Sequence, residues 1–286
     1  MIFRILLGLY LTVHFACLVP YAEELFGTEM PFDYTLSPLH GMFPNVLNYV
    51  NATYFLMFLT GVATMLMFEI WPRLSAFVLW YGWAALFNKN PLISNPGLAY
   101  VGWCLLALTL VERDPQRIVF NTSNWFLQYI QRDKFPKRVF WAGWILLAAG
   151  YTASGLHKLV ASPSWVDGTA LQHVLESCLA RDNILRDTLL QFPTFLRYST
   201  WFSLFLEIAF LPLGVFYYTR MPFWFIYIGF HLGILMLINF ADLTIGVLMI
   251  HLFTFDWSWT TTINRYIAER IQSKREAKYG LVKKQV

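Results

Sequence analysis

Residues 52–70 read ATYFLMFLTGVATMLMFEI, with no formal charge before Glu69, and the chain contains eight apolar runs of this kind. Backbone groups in hydrocarbon must satisfy one another, so a run that enters a bilayer there has to be helical. A hydrocarbon core about 30 Å thick takes about 20 helical residues to cross. The runs cover residues 4–20, 52–70, 74–87, 98–111, 139–159, 198–218, 222–240 and 243–257. The third, fourth and eighth are short for a crossing, which implies little tilt or extension into adjoining loops.

Composition points the same way. A chain that is 57% hydrophobic and 13% charged, with mean hydropathy +0.49, does not suit a soluble domain. The expected fold is all-α: a polytopic membrane helix bundle of about eight transmembrane helices, with interfacial amphipathic helices. Two parts are expected, a transmembrane domain over 1–259 and a basic amphipathic tail over 260–286.

Charge placement sets the expected orientation. With both termini cytoplasmic, 16 of the 21 Lys and Arg lie on cytoplasmic ends, as the positive-inside rule requires. Residues 21–51 carry four acids and no Lys or Arg, whereas 112–138 carry six basic residues. Net charge of +4 therefore reflects topology and excludes nucleic-acid binding as its cause. The chain reads as a multi-pass protein of a bacterial inner membrane. Its opening MIFRILLGLYLTVHFACLVPYAEE reads as a retained first helix, not a cleaved signal.

The stretch SNWFLQYIQRDKFPKR sets Trp125, Phe126, Tyr129 and Ile130 at helical spacing beside basic residues, the pattern of a helix lying among headgroups. The tail sequence INRYIAERIQSKREAKYGLVKK repeats it and suits acidic membrane lipid. Cys17, Cys104 and Cys178 lack metal or redox spacing. Cys17 and Cys178 fall toward the outer side, where either a disulfide or free thiols would fit.

Three polar groups are expected to converge on the outer mouth of the bundle. They are Lys158, in GLHKLVASPSWVDGTAL; Asn88, Lys89 and Asn90, which close the third run; and Asp33, Ser37 and His40 in the first outer loop. A lysine acts as a general base only in its neutral form, which apolar surroundings or a neighbouring cation favour. Otherwise it snorkels or forms a structural ion pair. His157 is adjacent in sequence but points about 100° away on a helix.

Deeper in the bundle lie Glu207, His231 and His251, with His14 at a similar depth. A carboxylate with histidines suits helix-joining hydrogen bonds, a proton relay or metal ligation. No short ligand spacing such as HExxH supports the metal, and none is expected. Glu207, Asn239 and Asp242 also leave room for a transporter, although inverted halves are not visible. Aromatic residues make up 19% of the chain and offer stacking surfaces to a flat ligand, but interfacial belts account for them equally.

Taken in order, NKNPLISN, GLHKLVASPSWVDGTAL, WFSLFLEIAF and FHLGILMLINFADLTIGVLMIHLFTFDW resemble the horizontally transferred transmembrane (HTTM) domain family, which includes vitamin K-dependent gamma-glutamyl carboxylase. The resemblance spans about residues 1–259. It implies that Lys158 is the base that deprotonates a quinol, vitamin K-like or ubiquinol, with O2 and CO2 as co-reactants if the chemistry is carboxylation. Trp165 and Gly168 match the W-x-x-G after the family's lysine. Asn88, Lys89, Asn90 and His157 would then contact quinol or substrate, although Asn90 falls where the carboxylase has histidine. Glu207 with His231 and His251 would order the core or relay protons.

The chain ends soon after its last apolar run, where the carboxylase continues into a large extramembrane domain. The resemblance therefore implies a separate protein partner supplying a soluble part, and a peptide or lipid substrate. A non-catalytic membrane subunit or scaffold of a peptide-maturation or export complex is the alternative expectation.

Overall fold

The computed structural model describes residues 2–27, 45–111, 136–256 and 258–279, and among them every regular element is helical. Asp33, Ser37 and His40 and the aromatic stretch 125–130 lie outside the described residues. The chain divides into two units, Met1–Thr254 and Phe255–Val286.

The long helices of the first unit are α1 (Ile2–Leu18), α2 (Ala52–Met67), α3 (Pro72–Lys89), α4 (Pro96–Leu110), α5 (Lys137–Ala161), α6 (Pro193–Gly214), α7 (Tyr217–Leu237) and α8 (Ala241–Phe253). Each falls on one of the eight apolar runs. Three helical stretches, Ile2–Phe26, Lys137–Ala161 and Tyr217–Leu237, are long and apolar enough to cross a membrane. Side chains such as Ile145, Phe202, Phe205 and Met236 stay exposed on the outside of the bundle, as expected of surfaces that meet lipid.

The helix starts follow from local chemistry. Asn51 accepts from the Tyr54 amide at 3.2 Å to cap α2, and Asn95 accepts from the Gly97 amide at 2.9 Å to cap α4. Pro72, Pro96 and Pro193 stand in the first turns of α3, α4 and α6, where a missing N–H costs nothing. The amides of NKNPLISNPG thus serve partly as caps, since Asn90 likewise accepts from the Leu92 amide at 3.1 Å.

The short α8 is the hub. It packs on α1 and α4 on one side and on α5 and α7 on the other, while α1 pairs with α2 and α5 with α6. The α5–α6 seam is the one that positions the site. Buried Trp144, Ala148, Tyr151 and Gly155 follow one another at intervals of four and three, the repeat that keeps one face of a helix on its neighbour. On α6 the matching series is Leu196, Thr200, Ser203, Glu207, Phe210 and Gly214. A β-carbon at Gly155 would meet the Ile208 backbone nitrogen at 2.9 Å, so only glycine permits this approach.

Pro212 lies inside α6 and cannot bond the Ile208 carbonyl four residues back. Thr152 of α5 fills the breach. Its hydroxyl stands 3.2 Å from the Glu207 carbonyl and 3.3 Å from that of Ile208, and accepts from the Leu211 amide at 3.0 Å. A neighbouring side chain satisfies the groups freed by the proline, as an apolar setting demands.

In the second unit, α9 (Ser258–Tyr279) begins where an Asp256 carboxylate oxygen accepts from the Ser258 amide at 3.0 Å. Tyr266, Ile267 and Ile271 are exposed along it.

Candidate functional site

Lys158 is the next step after Gly155 on the inward face of α5, so its amine reaches α6 instead of solvent. Its Nζ donates to Glu207 Oε1 at 2.6 Å, and Ser154 Oγ donates to Oε2 at 3.2 Å. The lysine side chain keeps 25% of its surface and the glutamate 5%. The group beside the amine is therefore a carboxyl group and not a second basic side chain.

A roof covers the pair. The Trp165 ring lies 4.3 Å from Nζ, in cation–π contact. Trp165 stands in a short helix, Pro163–Val166, directly after α5, and the chain then turns at Gly168, whose φ of +78° is open to glycine and strained for other residues. Trp201 of α6 fastens the turn by donating from Nε1 to the Val166 carbonyl at 2.9 Å. Farther along, the segment is tied to the α7–α8 corner: the Arg181 amide donates to the Leu237 carbonyl at 2.8 Å and the Asn239 amide to that of Leu179 at 2.7 Å.

Two turns below Lys158 on the same face, Tyr151 Oη lies 2.5 Å from His231 Nε2 and 2.8 Å from His251 Nε2. His231 comes from α7 and His251 from α8, and all three are buried. Phe210 stacks on Tyr151 at 4.8 Å and Tyr227 leans on it at 4.2 Å. The two imidazoles are thus joined by a phenol. Glu207, expected to meet the histidines, bonds Lys158 and Ser154 instead, because the α5–α6 seam holds it against α5.

His14 is engaged elsewhere. Its Nδ1 lies 2.9 Å from Asp242 Oδ1, joining α1 to the start of α8. Lys89, fully buried at the end of α3, donates to Asn48 Oδ1 at 3.0 Å, and Asn90 donates to the Leu25 carbonyl at 3.0 Å. These bonds tie the Asn88–Asn90 corner to segments flanking α1 and α2. Asn88 is half-buried and His157 exposed, as expected for the residue preceding an inward-facing one.

Of the residues expected to act together, Lys158, Trp165, Gly168 and Glu207 form one group, and His231 and His251 another. Sequence reasoning passed over Tyr151, although its seven-residue spacing from Lys158 marks a shared face. It also missed Asp242 as the partner of His14. The three cysteines are free thiols, with Cys17 and Cys178 exposed and Cys104 buried, so the structure has no disulfide between the first two. Among the described residues no group of three or more His, Cys, Asp or Glu is arranged to hold a metal.

No family model matches the chain, and no curated protein or solved structure matches it. The class supported by fold and composition is an all-helical protein with helices suited to a membrane.

Proposed function

We propose that the chain crosses a bacterial inner membrane eight times, with both termini cytoplasmic, and that it is an enzyme abstracting a proton at the extracytoplasmic face. The observation that carries this reading is the Lys158–Glu207 contact beneath Trp165. It combines an amine, a buried carboxylate and an aromatic face at one helix end.

In this reading the resting ion pair first gives up the Lys158 proton as substrate displaces water from the site; the neutral Nζ then takes the substrate's proton, and Glu207 balances the ammonium that re-forms. Trp165 offers a surface on which a flat ring stacks, which suits a quinol of the vitamin K or ubiquinol type. A bound quinol supplies a weakly acidic hydroxyl and reducing equivalents. The HTTM-like order of motifs supports the same chemistry, acting on a peptide or lipid beside a separate soluble partner. Oxygen and carbon dioxide belong to it only if the reaction is carboxylation.

A second reading draws on the same contact. A closed 2.6 Å ion pair, with Ser154 on the other oxygen, also suits a clamp between α5 and α6 in a non-catalytic membrane subunit. Lys158→Arg separates the two, since guanidinium retains the ion pair but stays protonated and cannot act as a base. Masses of extracytoplasmic peptides and membrane lipids would be compared among wild-type, deletion and Lys158→Arg cells. The enzyme reading expects Lys158→Arg to match the deletion; a match to wild type overturns it. Lipid extracted from gently purified protein tests the cofactor, because phospholipid without naphthoquinone or ubiquinone removes the quinol from the proposal.

A further inference from the structure

The segment between α5 and α6 contains a short helix, Ile184–Leu190, whose apolar side chains face away from the protein. Ile184, with 85% of its surface exposed, and Leu185 point outward, while Arg186 is half-buried. The arginine Nε donates to the Leu175 carbonyl at 2.7 Å, and its guanidinium pairs with Asp182. A helix lying on a protein in water does the reverse, setting its apolar stripe on the core and its charges outward. The Thr188 hydroxyl is also spent internally, donating to the Ile184 carbonyl at 2.7 Å.

What meets this outward face follows from where the helix is fastened. At its start, Asn183 Nδ2 donates to the Met236 carbonyl at 2.9 Å and Arg181 Nε to that of Ile238 at 3.0 Å. Ile184 is therefore held level with the last turn of α7, one of the helices long and apolar enough to cross a membrane. Met236 in that turn is exposed as well. At its other end the chain runs through exposed Phe192 straight into α6. There Phe195, Tyr198, Phe202 and Phe205 are exposed at intervals of three and four, which places them in one stripe down the helix. The short helix is thus bracketed by the exposed apolar residues of α7 and α6.

We infer that Ile184, Leu185, Phe192 and Phe195 dip into the extracytoplasmic leaflet, at the boundary between headgroups and acyl chains. Asp182 and Asp187 stay exposed beside them and form the polar rim that remains among headgroups and water. Tyr198 suits the same level, where an amphipathic ring keeps its hydroxyl wet. Lipid is favoured over a protein partner because the patch continues onto a helix stripe that contains no charged side chain. The chain that begins at Trp165 is then held twice before α6, by the α7 end through Arg181 and Asn183 and by lipid through Ile184. This inference rests on the reading that α6 and α7 cross the membrane, and needs neither a basic Lys158 nor a quinol.

The test uses the full-length protein in phosphatidylcholine nanodiscs, with Cys17→Ser and Cys178→Ser removing the exposed thiols. One nitroxide at a time is attached through Ile184→Cys, Phe192→Cys, Phe202→Cys or Asp182→Cys. Electron paramagnetic resonance then compares collisions with oxygen, which concentrates in lipid, and with a water-soluble nickel chelate. The oxygen-to-nickel ratio at 184 and 192 is expected to exceed that at 182 by several fold and to approach that at 202. Ratios at 184 and 192 that match 182, with 202 still oxygen-rich, overturn the inference and leave the membrane crossing intact. A nickel-accessible label at 202 overturns the crossing itself, and the inference with it. Labels at 184 and 192 shielded from both reagents also overturn it, and show that a second copy of the chain covers the face.

Discussion

Helix α8 faces two buried polar clusters that solve the same problem differently. Toward α1, Asp242 meets His14 in a direct carboxylate–imidazole contact, and the carboxylate retains 44% of its side-chain surface. Toward α5 and α7, His251 meets Tyr151 and His231, with no carboxylate in the hydrogen-bonded group and all three members buried. The charge-bearing cluster sits where one member still reaches solvent, and the dry cluster is built from groups that can remain neutral. Burying an ionised carboxylate costs far more than burying a phenol that has hydrogen-bond partners. Lys158–Glu207 stands between these cases, with a buried acid and a half-buried base.

The comparison can be broken at several points. The largest effect is expected on the α5–α6 side, where Lys158→Met leaves the Glu207 carboxylate buried without its cation. Loss of about 3–5 kcal/mol is expected, read as a fall in thermal stability in detergent, with Glu207→Gln in the same chain restoring most of it. Stability unaffected by Lys158→Met would mean that solvent already screens the pair.

Tyr151→Phe removes the hydroxyl from between two imidazoles and should cost about 1–3 kcal/mol, since two buried nitrogens lose their partner together. Chemical denaturation measures it. A neutral outcome would show that the α7 and α8 histidines find other partners, ending the contrast between the dry and wet sides of α8.

Gly168→Ala forces a β-carbon into a left-handed turn, against the Arg197 Cγ at 2.6 Å and the Trp201 ring at 3.0 Å. The expected cost is roughly 1–2 kcal/mol. Because this turn follows directly on the helix that holds Trp165, labelling of Lys158→Cys, in a background with Cys17 and Cys178 replaced by serine, should also quicken when Gly168→Ala is added. An unchanged labelling rate would show that the roof is held by other contacts.

The smallest effects are expected at the margins. Thr152→Val withdraws the hydroxyl that bridges the Pro212 break and should cost about 1 kcal/mol, in the range of polar contacts between membrane helices. Asp242→Asn should cost less than about 1 kcal/mol, because its contact is partly open to solvent. If Asp242→Asn proved costlier than Tyr151→Phe, the ordering of the two clusters would be reversed.

Part of this arrangement is legible in the sequence. The eight helices follow from eight apolar runs, whereas the capping by Asn51 and Asn95 emerged only in the structure. The orientation of Lys158 is left open between a base, a snorkelling side chain and an ion pair, although the spacing Trp144, Ala148, Tyr151, Gly155, Lys158 carries it. The partners are not legible. Glu207 and the histidines were grouped by depth, yet Glu207 took Lys158 and the histidines took Tyr151. His14 and Asp242, 228 residues apart, had no signal connecting them.

By itself the sequence determined that this chain is helical and where its helices lie, because long apolar runs satisfy their backbone groups within one segment only as helices. It also contains the register that puts Lys158 on one face with Tyr151 and Gly155, since that is a property of one helix. Which carboxylate meets the amine, which phenol joins the imidazoles and which side of α8 stays dry were decided only by tertiary structure. Those contacts depend on how closely helices approach and at what height they cross. That is set jointly by Gly155, by Pro212 with Thr152, and by the turn at Gly168, and no single run of residues contains it.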